Sequence, residues 1–139
     1  MLDTIKGWLG QSAGISAEGN NKINIMDVHN AHIKCKVGFQ EYLSSTPIEK
    51  LDSSLICRDN NCPLGKWIHG PAFGQFNQLG AFYTLRATHA QLHFVAGRVV
   101  EKIQGNTITL EAASTDNEYV RVSRNLMKSI TDLKKQIVN

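Results

Sequence analysis

Apolar residues recur at steps of three and four along three long stretches of the chain. In the first, Ile25, Val28, His32, Cys35, Phe39 and Tyr42 fall on one face, which predicts a helix over about residues 23–45. Pro47 ends it, because proline cannot continue a helix. In the second, Leu79, Phe82, Arg86, His89, His93, Ala96, Val100 and Ile103 predict a helix over about residues 78–104, with Gly105-Asn106 as its stop. In the third, Tyr119, Val122, Leu126, Ile130, Leu133 and Ile137 predict a helix that starts at Leu110 or Ser114 and runs to Val138. The near-heptad step of this last stripe also suits a helix shared between subunits.

The stretch between the first two helices is different in kind. Residues 46–77 carry all three prolines and two of the three cysteines, which predicts loops around one or two short helices. Proline suits the first position of a helix, so one short helix starts at Pro63 with Cys62 as its N-cap. Residues 1–22 hold a short apolar piece and then a Gly/Ser/Asn-rich run, read as a short helix or flexible segment. Thr107 to Leu110 alternates but is too brief for a sheet. The expected architecture is therefore all-α: residues 23–139 as a four-helix-bundle-like domain, with an additional short helix that carries Cys62.

Composition narrows the classes of function. The net charge of +3 is mild and its Lys and Arg are scattered, so no basic face for nucleic acid is expected. The N-terminal MLDTIKGWLG is too short and polar for a signal peptide, and no run approaches the roughly 18 apolar residues of a membrane span. The cysteine count is odd (Cys35, Cys57, Cys62), which argues against a secreted disulfide scaffold. A cytoplasmic protein with reduced thiols is the expectation.

Those thiols direct attention to the histidines. His89 and His93 are four apart and share a helical face, a separation from which two imidazoles can reach one metal. Helical metalloprotease sites place Glu directly after the first such His, whereas here that position is Ala90. A lone His on an apolar stripe is more often a hydrogen-bonded core residue than a ligand. Two side by side would each need a polar partner, and leaving them without one costs about 1–3 kcal/mol apiece. On the first helix both His32 and His29 lie near the core face, and periodicity does not choose between them. Cys62 at a helix N-terminus has its thiolate form favoured, although a single cysteine is at least as often a small buried hydrophobe. Cys57 and Cys62 make a C-x4-C pair, weak as half of a zinc knuckle because a second pair is missing. Cys35 is read as core, Trp67 as a bulky cover that could shield a metal, and His69 as exposed in a turn.

Taken together, Ala31-His32, then Cys62-Pro63-Leu64-Gly65-Lys66-Trp67, then His89-Ala90-Gln91-Leu92-His93 resembles the bacterial chemoreceptor zinc-binding (CZB) domain, over about residues 23–138. The resemblance implies a four-helix bundle, usually a homodimer, with zinc on three His and one Cys. Carried over to this chain, the ligands are His32, Cys62, His89 and His93, which selects His32 over His29. It also implies a sensor of zinc, or of oxidants such as hypochlorous acid through the Cys ligand, working with chemoreceptor signalling or diguanylate cyclase domains. Two departures stand out. Cys35 occupies a position where the family often has an aromatic residue, which either puts a second thiol near the metal or repacks the core. The sequence also ends on its last helix with no output domain, so the signal is expected to pass to a separate partner.

Three readings follow. A closed three-His, one-Cys shell suits a sensor or regulator, because catalytic zinc keeps a position open for water. A permanent zinc in an interaction module, or a zinc buffer, is the second. A zinc hydrolase is the third, disfavoured because no carboxylate neighbours the His pair in sequence. A di-iron bundle lacks its inward Glu-x-x-His carboxylates, and a haem bundle leaves most of the cluster unexplained.

Overall fold

The computed structural model describes residues 25–137, and among them every regular element is helical. Three long helices form the frame: α1 (Ile25–Ser45), α5 (Gly80–Gln104) and α6 (Asn117–Ile137). Between α1 and α5 the chain makes a 3-10 turn and three short helices, α2 (Ser53–Ile56), α3 (Pro63–His69) and α4 (Pro71–Phe76). This is the all-α bundle with a short Cys-bearing helix that the pattern predicts. The reading of residues 1–22 falls outside the described residues.

The apolar stripes become the core. Val28, Cys35, Phe39 and Tyr42 of α1, Phe82, Ala96, Val100 and Ile103 of α5, and Val122, Leu126, Ile130 and Leu133 of α6 are all buried. Within the predicted α5 stripe, Arg86 is only half-buried, and Leu85 beside it fills the core instead. The main packing is α5 against α6; α1 lies on α6 and α3, and α2 lies on α5.

The third helix starts later than the pattern predicts. It begins at Asn117 rather than at Leu110 or Ser114, after a separate 3-10 turn at Ala113–Thr115. Asp116 sets the boundary: its Oδ1 accepts from Tyr119 N at 3.1 Å, and its Oδ2 takes a bond from Lys102 Nζ at 2.9 Å. A carboxylate that satisfies a free first-turn N–H marks a helix start more firmly than the apolar run upstream of it. At the end of α5 the left-handed residue is Asn106, with φ 61°, while Gly105 keeps a negative φ.

Two features fix the short helices that frame the site. Asp52 caps α2 through Ser54 N and Leu55 N, and its own N–H donates to Tyr42 Oη at 2.8 Å, which ties α2 to α1. α2 then sits on α5 at Gly97, where a Cβ would overlap Cys57 Sγ and come within 3.1 Å of Ser53 O. Only glycine permits that approach.

Candidate metal centre

Cys62 is the N-cap of α3, with extended backbone (φ −80°, ψ 163°), and Pro63 follows as the first helical residue. Its sulfur accepts the Gly65 N–H at 3.3 Å, which meets one free donor of the helix start. Gly65 is required here for a second reason: a Cβ would overlap the carbonyl oxygen of Asp59. The loop from Asp59 to Cys62 and the first turn of α3 are thus pressed backbone to backbone, and this holds the thiol in place.

The long helix α5 brings two imidazoles to that sulfur. His89 Nε2 lies 3.2 Å from Cys62 Sγ and His93 Nε2 lies 3.3 Å from it. The two rings stand edge to face, with centroids 4.7 Å apart. His93 Nδ1 lies 2.9 Å from Ile56 O, the carbonyl at the end of α2. His89 Nδ1 has no hydrogen-bond partner, and Asp59 Oδ2 lies 4.0 Å from it. Asp59 also takes a bond from His69 Nε2 at 3.0 Å, so the exposed His69 helps to hold the carboxylate beside the site.

The remaining donors come from α1. His32 is 1% exposed, whereas His29 one turn earlier is only half-buried. The Nε2 of His32 lies 3.4 Å from Ser123 Oγ on α6, and its Nδ1 is buried without a partner. His32 is close enough to His89 and His93 for their charges to interact. Cys35 comes closer than expected of a plain core residue. Its sulfur, the sulfur of Cys62 and a nitrogen of His89 all lie within 4.8 Å of one another. Cys57 is exposed and stands apart against Gly97. Trp67 is buried, as a cover would be, with its Nε1 unpaired.

Electrostatics favour neutral imidazoles at His32 and His89, the form that binds metal. Burial lowers the pKa of His32 to about 4, helped by Lys36, His29 and His93. Burial drives His89 well below the ordinary histidine range, with His93, His32 and His69 adding to it. For His93 burial also pushes down, but the hydrogen bond and charge of Cys62 outweigh it and the pKa rises. Burial pushes the Cys62 thiol well above its usual value, and its hydrogen bond with Cys35 adds to this. That same bond draws Cys35 down. A dication held here by Cys62 would reverse that preference, since a coordinating thiol is deprotonated.

This donor set fits zinc. It is soft and nitrogen-rich, it is buried, and two of its imidazole nitrogens have no protein partner. Residues 32–100 match the family model of the chemoreceptor zinc-binding domain, a segment that begins at His32 and contains Cys62, His89 and His93. The chain belongs to that family. No curated protein and no solved structure matches the chain. For a chemoreceptor zinc-binding domain the Cys/His cluster is the expected place for the metal, and here that cluster is assembled from α1, α3 and α5.

Periodicity finds the His pair and the α1 stripe, but three participants are beyond its reach. Asp59 lies in an irregular loop, Ser123 is 91 residues from His32, and the meeting of Cys35 with Cys62 depends on how α3 docks on α1. For Cys35 the signal is its place where the family often has an aromatic residue, a departure that allows a second thiol near the site.

Proposed function

We propose that this chain is a zinc-binding sensory or regulatory domain in which His32, Cys62, His89 and His93 hold one zinc ion. The observation that carries the reading is the convergence of both α5 imidazoles on one sulfur, at 3.2 and 3.3 Å. Bound zinc would supply a cross-link between helices and a Lewis-acid centre closed to water by four protein donors. The chain's own residues do the rest. The Ile56 carbonyl holds the proton of His93 on Nδ1 and leaves Nε2 free to donate. Asp59 faces the far nitrogen of His89, which is an orienting position and not that of a general base. Trp67 and the core around it keep water out.

Cys62 is the responsive member. It is the thiolate donor of the four, and it caps a seven-residue helix instead of lying on the long frame. Loss or oxidation of this ligand frees α3 from α5 and changes the bundle surface. The readers of that change, on the family resemblance, are a second copy of the chain and a chemoreceptor or diguanylate cyclase partner in chemotaxis or cyclic-di-GMP control. Native mass spectrometry of the full chain, with and without a chelator and a mild oxidant, tests this. One zinc per chain that is lost in Cys62→Ser and released by oxidant supports the proposal. Zinc held as tightly by Cys62→Ser, with no response to oxidant, overturns it.

A second reading is a permanent structural zinc, favoured by the burial of all four donors, each between 0% and 3% exposed. Chelator competition separates the two. An affinity near the free zinc level of the cell supports sensing; an ion that does not exchange supports structure.

A further inference from the structure

The cluster contains a thiol that the zinc reading does not use. Cys35 is 4% exposed and has its sulfur within 4.8 Å of the Cys62 sulfur. The two come from different elements, α1 and the N-cap of α3. A small cavity opens beside Cys35, lined also by Lys36, Leu92, His93 and Tyr119, with a volume of about 10 Å³. That is about the least room one water molecule needs, and it marks where a small oxidant approaches the Cys35 sulfur.

We propose that Cys35 and Cys62 are a peroxide-oxidised dithiol, with Cys35 the first sulfur attacked and Cys62 the sulfur that closes an internal disulfide. In the first step the Cys35 sulfur attacks one peroxide oxygen. An S–O bond forms, the O–O bond breaks, and the departing hydroxide leaves as water with the thiol proton. In the second step the Cys62 sulfur attacks the Cys35 sulfenic acid. An S–S bond forms, the S–O bond breaks, and hydroxide takes the remaining proton and leaves as water. Two thiols and one peroxide thus give one disulfide and two waters; peroxide is reduced and the sulfurs are oxidised. The disulfide protects both sulfurs from the irreversible sulfinic and sulfonic stages. It also removes the thiolate from the metal, a consequence that rests on Cys62 being a ligand. Formation of the bond itself does not rest on that reading.

The test uses the full chain with Cys57→Ser, which removes the exposed thiol that would link molecules. The protein, zinc-loaded and chelator-treated, is exposed to hydrogen peroxide and its intact mass and peptide map are read. The expected result is a loss of two hydrogens, a linked Cys35–Cys62 peptide pair, and full reversal by dithiothreitol. In Cys35→Ser, and in Cys35→Ala should the serine fold poorly, Cys62 should gain oxygen and reductant should no longer restore the protein. Oxygen added to Cys62 in the presence of Cys35, with no linked pair, overturns the proposal. A zinc indicator read alongside keeps the two inferences separate. A linked pair in a protein that never bound zinc overturns the zinc reading alone, and normal zinc binding without a linked pair overturns the dithiol alone.

Discussion

The Nδ1 of His93 lies 2.9 Å from the carbonyl oxygen of Ile56, and this one contact decides which face of the ring can bind. A carbonyl only accepts, so the proton must sit on Nδ1, and the Nε2 lone pair is left aimed at Cys62 Sγ. Ile56 is the last residue of α2, and α2 can reach His93 only because Gly97 lets it lie flat on α5. Orientation of the His93 ring therefore depends on a glycine one turn further along the same helix.

Gly97→Ala should weaken zinc binding without touching a ligand. The new Cβ overlaps Cys57 Sγ and crowds Ser53 O, so α2 must shift and carry the Ile56 carbonyl with it. Loss of an orienting partner typically costs about 10–100-fold in metal affinity, which chelator competition would read. Adding Cys57→Ala to Gly97→Ala removes the worse overlap and should restore part of the affinity. An unchanged affinity in Gly97→Ala would show that the His93–Ile56 contact does not orient the ring.

Gly65→Ala should be more severe. Here the obstacle is the Asp59 carbonyl, a backbone atom that cannot rotate away, and Gly65 is also the donor to the Cys62 sulfur. Overpacking of this kind costs about 1–3 kcal/mol, and the displaced turn carries Cys62 away from His89 and His93. The expected outcome is a lower melting temperature for the metal-free protein, together with loss of zinc. A variant that melts and binds as wild type would contradict the close packing of the turn.

The frame was legible in the sequence because it depends on local periodicity. Val28, Cys35, Phe39 and Tyr42 in α1, and Val122, Leu126 and Ile130 in α6, are buried as their spacing requires. Pro63 and Cys62 announced α3 because proline and an N-cap act on the backbone beside them. The start of α6 was misplaced because Asp116 draws part of its hold from Lys102, 14 residues away, and the apolar run upstream gives no hint of it. In the site, the His pair was visible as an i, i+4 repeat. The supports of the histidines were not: Ile56 meets His93 across 37 residues and Ser123 meets His32 across 91. Such pairings are settled by how helices dock, and docking leaves no periodic trace in one chain.

The metal-free protein should lose stability in mild acid, in a window set by His32. Its folded pKa is lowered from 6.5 to about 4 by burial, so the unfolded chain takes up a proton first as pH falls. Its contribution is intact above about pH 6.5, declines as pH falls, and is fully lost below about pH 4. The difference between those values amounts to about 3 kcal/mol. His89 is shifted the same way by burial and deepens the loss, while His93, shifted upward, opposes it. Denaturant unfolding of chelator-treated protein near neutrality and again near pH 4.5 would measure this. His32→Gln should flatten the slope, and an equal slope in that variant would mean that His32 is not buried neutral.

His32 and Ser123 give the sharpest check on the fourth donor. The Ser123 hydroxyl lies 3.4 Å from His32 Nε2, and the Nδ1 of the same ring is buried with no partner at all. If His32 binds zinc, Ser123 is its orienting partner, as Ile56 is for His93. Ser123→Ala should then lower zinc affinity by about 10-fold, at the mild end for such partners. His32→Ala should lower it further, because it removes a donor and not merely its orientation. Comparison of the two variants by chelator competition orders the effects. The reverse order, or no loss in His32→Ala, would remove His32 from the ligand set and leave the α1 side of the cluster to Cys35, whose sulfur already stands within 4.8 Å of Cys62 and His89.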